Sequence, residues 1–253
     1  MAFEPQQLIS ERSNCPNTRF SGFGYSYRTD EYKIVRMYAR CSYPALGLSL
    51  KVQVYTLGSG LGWRDKGKFE FCVSQTSVCA NGALHWIEYK KRKIVAFDLA
   101  DEKFIVIPLP SVISHKILGE ATPNVVGGYL SVFHVVKEDE KTFISIWSLK
   151  KKRKCNSYAM GEDEFDNYWS WNKEFSIPWN DTKVKYNRSY HPLAVTKSNQ
   201  VLLLHHGGLL CYDLKTTTLK ELWDVHPRLR VEVPPYLEAS LHLNSLVSLK
   251  ALG

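Results

Sequence analysis

Short apolar runs separated by polar or glycine-bearing turns recur along the whole chain, and long apolar stripes at helical spacing are scarce. Aromatic and β-branched residues dominate these runs, which favours strands. Four segments share one pattern: Val54-Tyr55-Thr56-Leu57, Ala96-Phe97-Asp98-Leu99, Ile146-Trp147-Ser148-Leu149 and Cys211-Tyr212-Asp213-Leu214. In each, an aromatic residue stands two positions before a leucine, so both side chains point to one face of a strand. A polar residue lies between them, and a turn then leads to a bulky residue: Trp63, Phe104, the pair Trp169 and Trp171, and Leu219. The spacing predicts hairpins in which that bulky residue returns against the aromatic across the strand pair.

A turn signal and a short apolar strand precede the last three copies, at Asn81-Gly82-Ala83-Leu84-His85-Trp86, at Gly127-Gly128-Tyr129-Leu130-Ser131-Val132-Phe133 and at Ser198–Leu204. The aromatic positions 55, 97, 147 and 212 are 42, 50 and 65 residues apart. A period of about 40–50 residues with this strand content is that of a four-stranded propeller blade. The last interval is stretched by the charged stretch 150–166, read as a protruding loop. Ser240–Leu249 reads as a final strand, with a helix as the alternative, and the two chain ends are expected to form a fifth, partial unit. The expected fold is all-β, a propeller-like array of about four to five small antiparallel sheets, which can be incomplete. A β-sandwich, the alternative, explains the strands and leaves the period unexplained.

Composition narrows the class. Of 253 residues, 44% are hydrophobic and 13% aromatic, ample for a core. The net charge of +8 is spread along the chain, so the basic balance alone does not specify nucleic acid. Six cysteines form no CxxC pair and no zinc-ligand spacing; they read as reduced, and most of them as small core residues. Met1–Ser10 is polar with no apolar run of a secretory signal, and no segment has the length of a membrane span. The expected location is cytoplasmic, nuclear or both.

Candidate chemistry is thin. His205-His206-Gly207-Gly208 reads as a hairpin turn, since adjacent strand residues point to opposite faces and cannot easily share a metal. His85, beside Trp86, reads as a buried or half-buried histidine rather than a base. Asp98 and Asp213 hold equivalent repeat positions in different sheets, so they are assigned to turn hydrogen bonds, not to a convergent catalytic pair. There is no nucleophile elbow and no phosphate loop. The expectation is no enzyme, no cofactor and no metal. Two basic runs, Lys90-Lys91-Arg92-Lys93 and Lys150–Lys154, should lie at opposite ends of their hairpins, which argues against one continuous nucleic-acid track. The strongest candidate for protein binding is the stretch 150–179. It joins Lys151, Lys152 and Arg153 to an acidic run and to Tyr168, Trp169 and Trp171, residue types that anchor interfaces. The alternative reading has Trp169 or Trp171 packing the blade as its returning strand.

Taken in order, several pieces resemble the F-box-associated domain, a kelch-related substrate-binding region of plant F-box proteins. They are Phe23-Gly24-Tyr25, Asp30–Arg36, Val54–Leu57 with Trp63-Arg64, Asn81–Trp86, Ile94–Leu99 to Pro108-Leu109-Pro110, Ile146–Leu149, Tyr212-Asp213-Leu214, Tyr236-Leu237-Glu238 and Ser245–Leu249. The resemblance implies a module that holds a target protein for ubiquitination by an SCF ligase, with no chemistry of its own. Met1–Gly22 lacks a Leu-Pro entry and an amphipathic helix, so residues 1–22 read as an extension without an F-box and 23–253 as the propeller-like domain. The implied partners are a target protein, with SCF adaptor and cullin only where an F-box is supplied elsewhere. Nucleic acid and membrane are not expected. The alternative is a stand-alone carbohydrate- or nucleic-acid-binding propeller.

Overall fold

The computed structural model describes residues 19–39, 49–74, 77–88, 92–113, 121–138, 141–152, 169–179, 191–196, 198–205 and 208–224. Among them every regular element is a strand. The first sheet holds β1 (Arg19–Ser26), β2 (Glu31–Ala39), β3 (Ser49–Thr56) and β4 (Trp63–Glu70). The second holds β5 (Val78–Ala80), β6 (Ala83–Glu88), β7 (Lys93–Asp98) and β8 (Lys103–Pro108). The third holds β9 (Ala121–Val126), β10 (Tyr129–Glu138), β11 (Lys141–Lys151) and β12 (Trp169–Trp179), and the fourth β13 (His191–Val195), β14 (Gln200–His205), β15 (Gly208–Asp213) and β16 (Thr218–Asp224). Each sheet is an antiparallel meander in chain order. The expected propeller-like array is therefore present, with four sheets among the described residues. β1 already begins at Arg19, and the terminal segment 240–249 lies outside the described residues.

The first strands of successive sheets adjoin one another: β1 meets β5, β5 meets β9 and β9 meets β13. The sheets then pack face to face over three apolar seams. Val35, Met37, Leu50, Val52 and Val54 of the first sheet meet Leu84, Trp86, Val95, Phe97 and Leu99 of the second. Ile87, Ile94, Ala96 and Ile107 meet Leu130, Val132, Leu149 and Trp169 across the next seam. Phe133, Ile144, Ile146 and Ile177 meet Val201, Leu203 and Tyr212 across the last. Interior sheets need apolar residues on both faces, and β6 is buried at every position. A terminal sheet needs only one apolar face, and β3 alternates buried with half-buried or exposed residues.

The repeat is a local hydrogen-bonding device as well as a hydrophobic one. The amides of Leu57, Leu99 and Leu214 donate to the carbonyls of Tyr32, Gly82 and Asn199, each next to the residue that pairs with the strand end. Asp98 Oδ1 accepts the amides of Ala100 and Asp101 at 2.8 and 2.9 Å, and Asp213 Oδ1 accepts those of Lys215 and Thr216 at 2.8 and 3.0 Å. Four residues after each aspartate, Glu102 and Thr217 take up positive φ of 53° and 55°, closing the same turn twice. The returning residue meets its aromatic as expected in three copies: Tyr55 opposite Trp63, Phe97 opposite Phe104 and Tyr212 opposite Leu219. The third copy differs. Trp147 faces Lys173 while Trp171 faces Leu149, because a register shift between Ile146 and Trp147 and the continuation of β11 to Lys151 move the partner.

His205 pairs with Gly208 across a hairpin end, as expected of that run. Of the described cysteines, Cys211 is buried, Cys72 half-buried and Cys79, on the short strand β5, exposed, so only Cys211 is a core residue among them.

Candidate functional site

In a four-stranded meander the first and third turns share one end of the sheet and the second turn takes the other. At the shared end of the first two sheets, four turns converge: β1–β2, β3–β4, β5–β6 and β7–β8, with the charged residues in the first, second and fourth of them. Arg28, in the β1–β2 turn, grips Asp101 in the β7–β8 turn with two parallel hydrogen bonds of 3.0 Å and lies 3.5 Å from Asp98. That bidentate geometry holds Asp101 below the usual carboxylate range. Beneath this pair, Lys33 at the start of β2 donates to the Leu99 carbonyl at 2.6 Å and to Glu102 Oε1 at 2.9 Å. Arg64 of β4 grips both oxygens of Glu102, one at 2.7 Å, and donates to Thr56 Oγ1 at 2.8 Å. Lys66 adds a third cation to the same carboxylate.

Glu102 is therefore the centre of a clamp that joins two sheets. Its side chain is 9% exposed and that of Lys33 4%. Burial opposes ionisation of Glu102, but the hydrogen bonds from Arg64, Lys66 and Lys33 outweigh it and hold the carboxyl at about 2. Arg28, Lys33, Arg64 and Lys66 are each paired with a carboxylate in this cluster.

Around the clamp stand exposed apolar side chains. Tyr27, in the β1–β2 turn, is 60% exposed and lays its ring against Gly82, where a Cβ would come within 3.1 Å of it. Leu61, in the β3–β4 turn, is 70% exposed. In the third sheet the corresponding turns present exposed Tyr129 and the end of β11. There Lys150 pairs with Glu174 at 2.6 Å and lies 5.6 Å from the Tyr129 ring centroid. An exposed tyrosine and leucine on a pre-organised frame suit protein recognition: large contact area at little conformational cost.

The residues singled out in the sequence are divided by the structure. Lys151 and Lys152 are exposed at the end of β11, with Lys151 Nζ 5.2 Å from the Trp169 ring centroid. Trp169, only 2% exposed, packs into the seam between the second and third sheets, and Trp171 lies half-buried against the same cluster with its indole N–H donating to the Pro108 carbonyl at 2.8 Å. Two residues apart on β12, both rings point to one face, and that face is the seam. Arg153 and Tyr168 lie outside the described residues. Lys93 begins β7 while Lys150 and Lys151 end β11, so the described parts of the two basic runs sit at opposite ends of their sheets, as expected.

Sequence reasoning missed the clamp and its rim. Lys33 and Glu102 are 69 residues apart, and Arg28 and Asp101 are 73 apart. The available signal was a cluster of charges in the turns of two successive repeats, which is also what a solvated turn looks like. Among the described residues no group of three histidine, cysteine or acidic side chains is placed to hold a metal, and no helix is long and apolar enough to cross a membrane.

Comparison with known proteins places this architecture. The family described as F-box associated beta propeller domain matches residues 6–223. The chain is similar to F-box protein At3g07870 of Arabidopsis thaliana, 26% identical over 241 residues that cover 79% of this chain and 54% of that protein. It is similar to F-box protein CPR1 of the same plant, 24% identical over 257 residues, 90% of this chain and 56% of that protein. A crystal structure of HIRA(644-1017) aligns over 83% of this chain and 54% of that one, with 13% identity and a TM-score of 0.34. The chain spans about half the length of the F-box proteins At3g07870 and CPR1. A match over most of the sequence, with four blade-like sheets built on one repeat, means that the chain belongs to the F-box associated beta propeller domain family.

Proposed function

We propose that the domain is a target-recognition module which presents a protein for ubiquitination when joined to an F-box within an SCF ligase. Membership of the F-box associated family supports the role, and the observation that carries the choice of surface is the exposed pair Tyr27 and Leu61 on the rim of the Glu102 clamp. The target sits on the turn end of the first two sheets and reaches Lys151 and Lys152 on the third. Trp169 and Trp171 hold β12 in place beneath those lysines. The target and any contact with adaptor or cullin go through recognition alone, without a covalent step on this chain.

The test is affinity purification from plant extract with the unaltered protein and a Tyr27→Ala, Leu61→Ala double variant. Both substituted side chains are exposed, so the variant should keep the wild-type melting behaviour. The expected result is loss of a defined set of co-purified proteins, at least tenfold by quantitative mass spectrometry. An unchanged set would remove the turn end from the binding surface.

A further inference from the structure

The first copy of the repeat departs from the second and fourth at its turn. In those two copies the polar residue of the pattern, Asp98 or Asp213, caps two amides of a four-residue turn. The first copy has Thr56 at that position, and its hydroxyl is engaged by Arg64 of the clamp at 2.8 Å instead. The turn that follows is longer, residues 57–62, and Gly58, Gly60 and Gly62 in it take positive φ of 75°, 68° and 68°. A loop this rich in glycine has many backbone states to lose on ordering. Packing does not select among them, because a Cβ on Gly60 or Gly62 would meet no atom within 4 Å and Leu61 is 70% exposed.

The hydroxyl of Ser59 supplies what packing does not. It donates to the Thr56 carbonyl at 2.9 Å and accepts the Leu61 amide at 3.3 Å. The second bond has the same two-residue reach as those from Asp98 to Ala100 and from Asp213 to Lys215. The Ser59 amide also donates to the Thr56 carbonyl, at 3.4 Å. That carbonyl is a firm anchor. Thr56 is buried, pairs with Lys33 across the ladder, and its side chain is tied through Arg64 to Glu102 of the second sheet.

We infer that Ser59 is a positioning residue for Leu61: its hydroxyl performs in the first copy the capping that the aspartates perform in the second and fourth, and so fixes the backbone from which the leucine projects. The effect on a target rests on the reading of the turn end as the recognition surface; the order of the loop does not. A leucine already held in place loses less freedom on binding than one on a loose loop, which raises affinity.

The experiment compares the full chain with Ser59→Ala, which removes the hydroxyl, and Ser59→Thr, which keeps it. Nitrogen-15 relaxation reports the order of the Gly60, Leu61 and Gly62 amides, urea unfolding reports the fold, and recovery of the proteins that co-purify from plant extract reports binding. The Leu61 amide should have an order parameter of about 0.85 in the unaltered protein and in Ser59→Thr, and below about 0.6 in Ser59→Ala. The urea midpoint should be the same in all three, since Ser59 is exposed. Unchanged order in Ser59→Ala, equal loss of order in Ser59→Thr, or a lowered urea midpoint in Ser59→Ala would each overturn the inference. Recovery should fall about two- to tenfold in Ser59→Ala. Lost order with unchanged recovery would uphold the role of Ser59 and take Leu61 out of the binding surface.

Discussion

Glu102 shows how one side chain ties two blades together. Three cations converge on it, and Lys33, nearly buried, has no bulk water to fall back on. Glu102→Ala should therefore destabilise the fold by about 2–4 kcal/mol, seen as a lower urea midpoint, because it takes the shared carboxylate from Arg64, Lys66 and the nearly buried Lys33, leaving Lys33 only the Leu99 carbonyl and Glu31. Its titration has a definite sign. The folded carboxyl sits at about 2, below its ordinary 4.5, so the native state binds fewer protons than the unfolded one. The stabilisation is complete above about 4.5 and disappears as pH falls toward 2. His85 acts in a different window. Full burial pushes its pKa from 6.5 down to about 4, against the backbone groups of Val78 and Ala83, which favour the charged ring. The unfolded chain takes up a proton that the folded chain refuses, so stability is complete above 6.5 and falls as pH drops from 6.5 to 4, by up to about 1.4 kcal/mol per pH unit. Urea midpoints measured across that range should show the slope in the native protein and lose it in His85→Leu.

At the scale of the element, β1 is fitted to its neighbour by absent side chains. A Cβ on Gly24 would sit 2.7 Å from Cys79 Sγ and 2.8 Å from Leu99 Cδ1, and one on Gly22 would sit 2.8 Å from Leu84 Cδ1. Their place is on the buried side of β1, where the strand meets β5 and β6. Gly24→Ala should cost about 1–3 kcal/mol by overpacking, measured by chemical denaturation, while Ser21→Ala, on the exposed side of the same strand, should change stability by less than about 0.5 kcal/mol. The alternation that makes this contrast was readable in the sequence: Phe23 and Tyr25 flank glycine in the segment that carries the family resemblance. What those glycines touch was not readable, since Cys79 and Leu84 lie 55 or more residues away.

Across the described residues, stability passes from sheet to sheet through three separate seams, and the proposed recognition surface lies at one end of the array. The charges of the turn end neutralise one another inside the clamp. If the target rests on Tyr27 and Leu61, its affinity should change less than about threefold between 50 and 300 mM salt. A steep linear fall of log affinity with log salt would instead put Lys151 and Lys152 at the centre of the interface. Titration of the purified target against the domain at several ionic strengths separates the two.

The sequence by itself determined the architecture, because hairpins are local. The aromatic–polar–leucine copies, the aspartates that cap their turns and the period of 42 to 50 residues in the first three copies all act within one blade. Only the tertiary structure decided what happens between blades. It turned Trp169 and Trp171 from candidate anchors into seam residues, because the face of β12 that bears them meets the second sheet. It also drew Arg28, Lys33, Arg64, Asp101 and Glu102 into one clamp. Charge–charge contacts between turns of different sheets leave no period in the chain, whereas hydrophobic faces do, so the fold was legible and the candidate site was not.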